Sequence, residues 1–167
     1  ALQLLEGLGR HHAQGRLHGR ISAHTVRLDG DDSVMLEPPQ SRIHIDGSDG
    51  QPFRYPPQLL SVAPLTLPTS LDAARNVLLD AGVAVAPLQL DLYQVGAVLC
   101  FIASGRRVDD YLRSCRAKEA VPAALRPIID RALGMNAKDR FLSAEAFAAD
   151  LQAVLSQASP APPSDAP

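Results

Sequence analysis

A chain of 167 residues, 46% hydrophobic and 20% charged, is long enough to bury the core of one domain and leaves a second full domain crowded. Its net charge of -2 and its scattered basic side chains offer no stripe for nucleic acid. Two cysteines, Cys100 and Cys115, are too few for a disulfide framework and fit a reducing compartment, with the cytoplasm as the default and one bridge left open.

The longest apolar run, Val95 to Ala103, is about half of the roughly 20 residues a membrane helix needs, so no span is predicted. A beginning at Ala1, with no initiator Met and no signal-peptide pattern, predicts a piece of a longer protein.

From Leu2 to Gln14, Leu4, Leu5, Leu8 and His12 share one helical face, and Gly15 follows as a stop. Thr25 to Leu28 and Ser33 to Leu36 are short extended runs around the turn cluster Asp29-Gly30-Asp31-Asp32, which predicts a hairpin. Glu37 to Pro57 is so rich in Pro and Gly that it reads as a long loop, neither helix nor central strand. Beyond it, Ser70 can cap a helix through Asp72 to Leu79, ended by Gly82.

Asp91 to Ala103 is apolar around most of its circumference, which predicts a helix buried on all sides at the centre of the fold. Three further helical patterns follow, over Val108 to Cys115, Ala123 to Gly134 and Ser143 to Gln157. In the last, Phe147, Leu151, Val154 and Leu155 lie on one face, Ser143 is the N-cap and Glu145 complements the first-turn dipole. Residues 158–167 read as a Pro-rich disordered tail, outside a single domain of residues 1–157.

Four segments carry a resemblance to one family. Leu17-His18-Gly19-Arg20-Ile21-Ser22-Ala23-His24-Thr25-Val26 resembles the catalytic loop His-Arg-Asp-Leu-Lys-Pro-x-Asn of eukaryotic-type Ser/Thr protein kinases, including their bacterial relatives. Val34 to Gln40 resembles the strand leading into their metal-binding Asp-Phe-Gly, with Pro38, Pro39 and Gln40 at those three positions. Arg54 to Leu60 resembles the end of the activation segment, with Gln58 in place of the Glu of Ala-Pro-Glu. Asp91 to Leu99 resembles the buried helix of the larger lobe, and Arg140 matches the Arg that pairs with that Glu.

The resemblance implies a mainly α, α+β fold: a kinase-like C-lobe with a helical bundle around the buried helix, a small hairpin and a long activation-segment-like loop. It also implies that Asp91 accepts hydrogen bonds from the catalytic-loop backbone, that His18 is retained scaffold, and that Gln58 accepts hydrogen bonds from Arg140 in a weakened brace.

The chemistry implied by the family is degenerate. Gly19 stands for its Arg, Arg20 for the catalytic Asp, Ser22 for the Lys and Thr25 for the metal-binding Asn. Arg20 cannot be a base, because its guanidinium stays protonated. Thr25 alone is a poor magnesium ligand, Pro38 removes the metal Asp, and Glu37 is one residue early and turned away. No Lys precedes Lys118, so the nucleotide-pairing Lys and the smaller lobe lie outside this sequence. About twice the family's usual number of residues separates Gln58 from Asp91, so the substrate-side loop departs from the pattern.

Other readings of the same residues are weaker. His11, His12 and His18 lack the Cys or carboxylate of a metal set, and the Asp29–Asp32 cluster lacks the spaced ligands of a calcium loop. Asp91 can be a plain N-cap, and Ser22, His24 and Asp91 lack the strained turn of a hydrolase. The expectation is therefore a pseudokinase-like signalling module that binds a protein partner, is no enzyme, and holds no ATP, magnesium or other cofactor. The alternatives are a protein that retains nucleotide binding or atypical phosphotransfer through an upstream lobe, and an unrelated helical adaptor.

Overall fold

A computed structural model describes residues 1–31, 33–39, 41–46 and 54–158. The first helix, α1 (Leu2–Ala13), buries Leu4, Leu5 and Leu8, places Arg10, His11 and His12 at its negative C-terminal end, and stops where Gly15 takes φ +70°. Two short strands follow as the expected hairpin, β1 (Val26–Leu28) antiparallel to β2 (Val34–Leu36), with Val26 opposite Leu36. The turn between them closes through Asp29 N–H donating to Ser33 C=O at 2.9 Å; Asp32 lies outside the described residues.

The stretch read as loop holds a strand. Residues Arg42–Ile45 form β3, with Ile43 and Ile45 buried and Arg42 and His44 exposed, the alternation of a half-buried strand. After the short helix α2 (Pro57–Leu60), β4 (Leu65–Pro68) pairs antiparallel with β3, Ile43 facing Leu67. A two-stranded sheet has only edges, and Pro68 is the last residue of β4, which is how a Pro-rich region supports a ladder.

Helix α3 (Leu71–Asp80) begins where Ser70 Oγ accepts from Ala73 N–H at 3.5 Å and ends ahead of Gly82 at φ +71°. The α3 entry is tied to the first loop, since Leu17 N–H donates to Thr69 C=O at 2.7 Å and Leu71 N–H to Gly15 C=O at 2.8 Å.

The central helix α4 (Leu88–Ser104) is longer than expected and less uniformly buried. From Gln89 to Gly96 every residue is buried, but Phe101 is 44% and Ile102 63% exposed, because the C-terminal end of the helix emerges from the bundle. The single helix expected from Val108 to Cys115 is two, α5 (Val108–Arg113) and α6 (Cys115–Glu119). Ser114 breaks it by taking an extended conformation (φ -132°) and accepting from Ala117 N–H at 3.4 Å as the cap of α6.

Pro127 is compatible only with a first turn, so α7 runs Arg126–Ala132 behind a 3₁₀ turn at Ala123–Leu125. The last helix, α8, spans Ala144–Ala158. Its buried stripe is Phe147 and Leu151, while Leu155 is 42% exposed, past the edge of the core. Residues 159–167 of the Pro-rich stretch lie outside the described residues, and Ala158 belongs to α8.

Ser143 Oγ accepts from Ala146 N–H at 3.2 Å, the N3 donor of α8. Ser143→Ala is expected to cost about 1 kcal/mol, read as a lowered urea midpoint at unchanged slope, and Ser143→Asp to cost much less.

Two clusters of buried side chains result. The larger joins α1, α4, α7 and α8, with Phe141 stacked on Phe147 at 4.5 Å between centroids. Gly96 lets α4 approach α7, since a Cβ there would sit 2.7 Å from Ala132 Cβ. The smaller gathers Leu17, Ile43, Ile45, Leu59, Leu67 and Leu78. The extra residues between Gln58 and Asp91 thus build β4 and α3 and supply half of a second core. The architecture is α+β, with eight α-helices and two small antiparallel hairpins among the described residues.

Candidate functional site

The site lies where the loop after α1 crosses the first turns of α4. Asp91 is fully buried, and its carboxylate faces across to this loop. Oδ2 accepts from His18 N–H at 2.9 Å, Oδ1 accepts from Gly19 N–H at 2.6 Å, and His12 Nε2 lies 2.9 Å from Oδ2. Because α4 begins at Leu88, three residues earlier, Asp91 is not its N-cap; the carboxylate serves another segment of chain.

His18, also buried, donates from Nε2 to Glu37 C=O at 2.8 Å and accepts from Arg20 N–H at Nδ1. The loop and the end of β2 are thereby joined through one imidazole.

Gln94, which the sequence reading passed over, completes the brace. One turn beyond Asp91 on the same face, its Oε1 accepts from Ile21 N–H at 2.8 Å and its Nε2 donates to Gly19 C=O at 3.2 Å. A polar residue three positions after Asp91, at the edge of the apolar run Val95 to Ala103, was the available signal, since a buried polar group must find partners. Thr25 pins the same loop from inside: its hydroxyl donates to Arg20 C=O at 2.7 Å and accepts from Ser22 N–H at 2.9 Å. That hydroxyl is spent on the backbone and does not project outward as a ligand.

Gly19 is held at φ +71°, and a Cβ built on it would overlap Ile43 Cδ1 and Cγ1. Ser22 Oγ stays with its own loop, accepting from His24 N–H at 3.3 Å. His24 therefore reaches Ser22 only through its backbone, and Asp91 is engaged elsewhere, so the three do not form a hydrolase triad. Arg20 is exposed and lines an open cavity together with residues of β3.

Glu37, at the end of β2, turns its carboxylate to Arg27, with Oε1 2.7 Å from Nη2. Pro38 and Pro39 follow with no side-chain heteroatom to offer a metal; Gln40 lies outside the described residues. Gln58 and Arg140 line the same small cavity, but among the described residues no hydrogen bond joins them. Gln58 is exposed at the start of α2, while Arg140 packs over Gly134, and buried Gln89 donates to Phe141 C=O between them and the core. The expected brace between Gln58 and Arg140 is not formed.

His11 packs edge-on to His18 at 5.9 Å, and burial, followed by the charges of His18 and Arg16, holds its imidazole below the ordinary value. On α4, burial pushes the Tyr93 hydroxyl up, with Asp109 adding to it, and the Cys100 thiol is raised by burial. Among the described residues no group of three or more His, Cys, Asp or Glu could hold a metal ion, and no helix is long and apolar enough to cross a membrane.

The arrangement is chemically a fixed backbone loop with a cationic side chain at its outer edge. None of the loop residues 18–25 carries a carboxylate; Glu37 is paired with Arg27, and Asp46 lines the cavity beside Arg20. Compared with known proteins, the chain matches no family model and no curated protein.

Proposed function

We propose that the chain is a kinase-like C-lobe that has lost phosphotransfer chemistry and serves as a protein-interaction or regulatory module. One observation carries the reading: a fully buried carboxylate, Asp91, fixes the 18–19 backbone while Arg20 is exposed and Gly19 and Thr25 are buried. A loop that needs only to keep its shape requires the buried acceptor. A loop that transfers phosphate also requires an outward base and metal ligands, and here Arg20 is a permanent cation and Thr25 is turned inward.

Incubation of the purified chain with labelled ATP, magnesium or manganese, and generic protein substrates is expected to give no incorporation above a mock purification. Thermal melting with millimolar ATP is expected to leave the midpoint unchanged. Metal-dependent labelling that survives repurification, or a clear ATP-dependent rise in the midpoint, favours instead a protein that has retained nucleotide handling.

A further inference from the structure

Two cavities meet at Arg54. The first, of about 300 Å³, opens between the His18–Arg20 loop and β3, where Arg20, Arg42, His44 and Arg54 face one space. Asp46 is the one carboxylate among its described lining residues. Neither Arg20 nor Arg42 forms a salt bridge or side-chain hydrogen bond among the described residues, and Arg54 Nε is buried without a hydrogen-bond partner. Three guanidiniums cannot deprotonate to relieve their repulsion, and a buried N–H without an acceptor is destabilising. Both conditions are met by an anion that accepts several N–H bonds at once, and a phosphomonoester, with its double charge and three free oxygens, matches the planar guanidinium fork best.

The second cavity, of about 350 Å³, adjoins Arg54 over α4. Ile21, Ala97, Val98, Phe101 and Val108 give it a largely apolar wall, and its acid, Asp109, is paired with Arg107 at 3.1 Å. This accounts for Phe101 being 44% exposed at a position where the helix pattern expects burial. Phe101 is the one phenyl ring of this wall, which also carries His24, Gln94 and Arg107. An aliphatic or aromatic side chain fits it well. In an extended peptide, side chains two residues apart point the same way, roughly 7 Å from each other.

We infer that the two cavities form one bipartite site for a phosphorylated peptide: the phosphoryl group enters between Arg20, Arg42 and Arg54, and an apolar side chain two residues away seats against Phe101. The site rests on the cavities alone, so it is independent of whether the chain is kinase-like and of the phosphotransfer result.

The test is fluorescence anisotropy on the purified chain with dye-labelled peptides of about eleven residues bearing a central phosphoserine and Leu at both second-neighbour positions. Phosphorylation is expected to tighten binding at least ~10-fold over the serine twin, and replacing both Leu by Ala to weaken it about 5-fold. The double variant Arg20→Gln, Arg42→Gln, both exposed and so able to fold, is expected to lose at least ~10-fold for the phosphopeptide with its thermal midpoint unchanged. Phe101→Ala is expected to lose the Leu dependence only.

Equal affinity for the two serine forms, or no binding at millimolar protein, overturns the inference. So does ATP or inorganic phosphate binding as tightly as the phosphopeptide, which would make the cavity an anion site without a peptide.

Discussion

Replacing Asp91 by Ala is expected to destabilise the chain by about 3–5 kcal/mol, enough to unfold a domain of ordinary stability. The carboxylate has no water to fall back on, and its removal takes the acceptor from three groups at once: His18 N–H, Gly19 N–H and His12 Nε2. The two backbone donors are buried, and each loses its hydrogen bond while remaining desolvated. Asp91→Asn is nearly isosteric and still fails. The two amides are bound by different oxygens, and the amide side chain offers one acceptor and turns an NH₂ toward the other donor.

Urea unfolding of both variants is the measurement, with limited proteolysis reporting whether cleavage moves into residues 16–24. An Asp91→Asn protein as stable as the parent, and as resistant to proteolysis, would show that the loop holds its shape without the carboxylate.

The second large effect is at Gly19. Gly19→Ala is expected to cost about 2–5 kcal/mol. Two terms add. A side chain at φ +71° carries left-handed strain of about 1–2 kcal/mol. The new Cβ would also overlap the side chain of Ile43, which is buried in β3, β-branched and unable to swing away, for about 1–3 kcal/mol more.

Gly15 provides the control: it has φ +70° and nothing within 4 Å of a built Cβ, so Gly15→Ala should show the strain alone. If the two alanine variants unfold at the same urea concentration, the contact with Ile43 is not limiting. A larger loss at Gly19 means that the second core, through β3, has closed the space a side chain there would occupy.

The helices α1, α3 and α8, the β1–β2 hairpin and the N-terminal part of α4 were legible because their signals are local. Apolar spacing, Ser70 and Ser143 as caps, Gly15 and Gly82 as stops, and a turn cluster all act within a few residues. The meeting of Asp91 with the 18–19 backbone was legible for a different reason. It was an expectation drawn from the order and spacing of short segments, and no periodicity would have revealed it.

What tertiary structure alone decided is nonlocal. The pairing of β3 with β4 joins Ile43 to Leu67 across a Pro-rich stretch, and only the burial of Ile43, Ile45 and Leu67 against α3 makes those four-residue strands worth ordering. The exposure of Phe101 and the missing bond between Gln58 and Arg140 depend on where helix ends fall in the bundle. Likewise, Arg20, Arg42 and Arg54 look like scattered solvated charges until the loop after α1, β3 and the approach to α2 bring them to the lining of one cavity. The sequence by itself determined which side chains stand in the 18–25 loop, a permanent cation at Arg20 and no carboxylate, since that depends only on which side chains exist. The fold decided how the loop is held and which charges gather beside it, because hydrogen-bond partners and shared cavities depend on distances that a linear order does not contain.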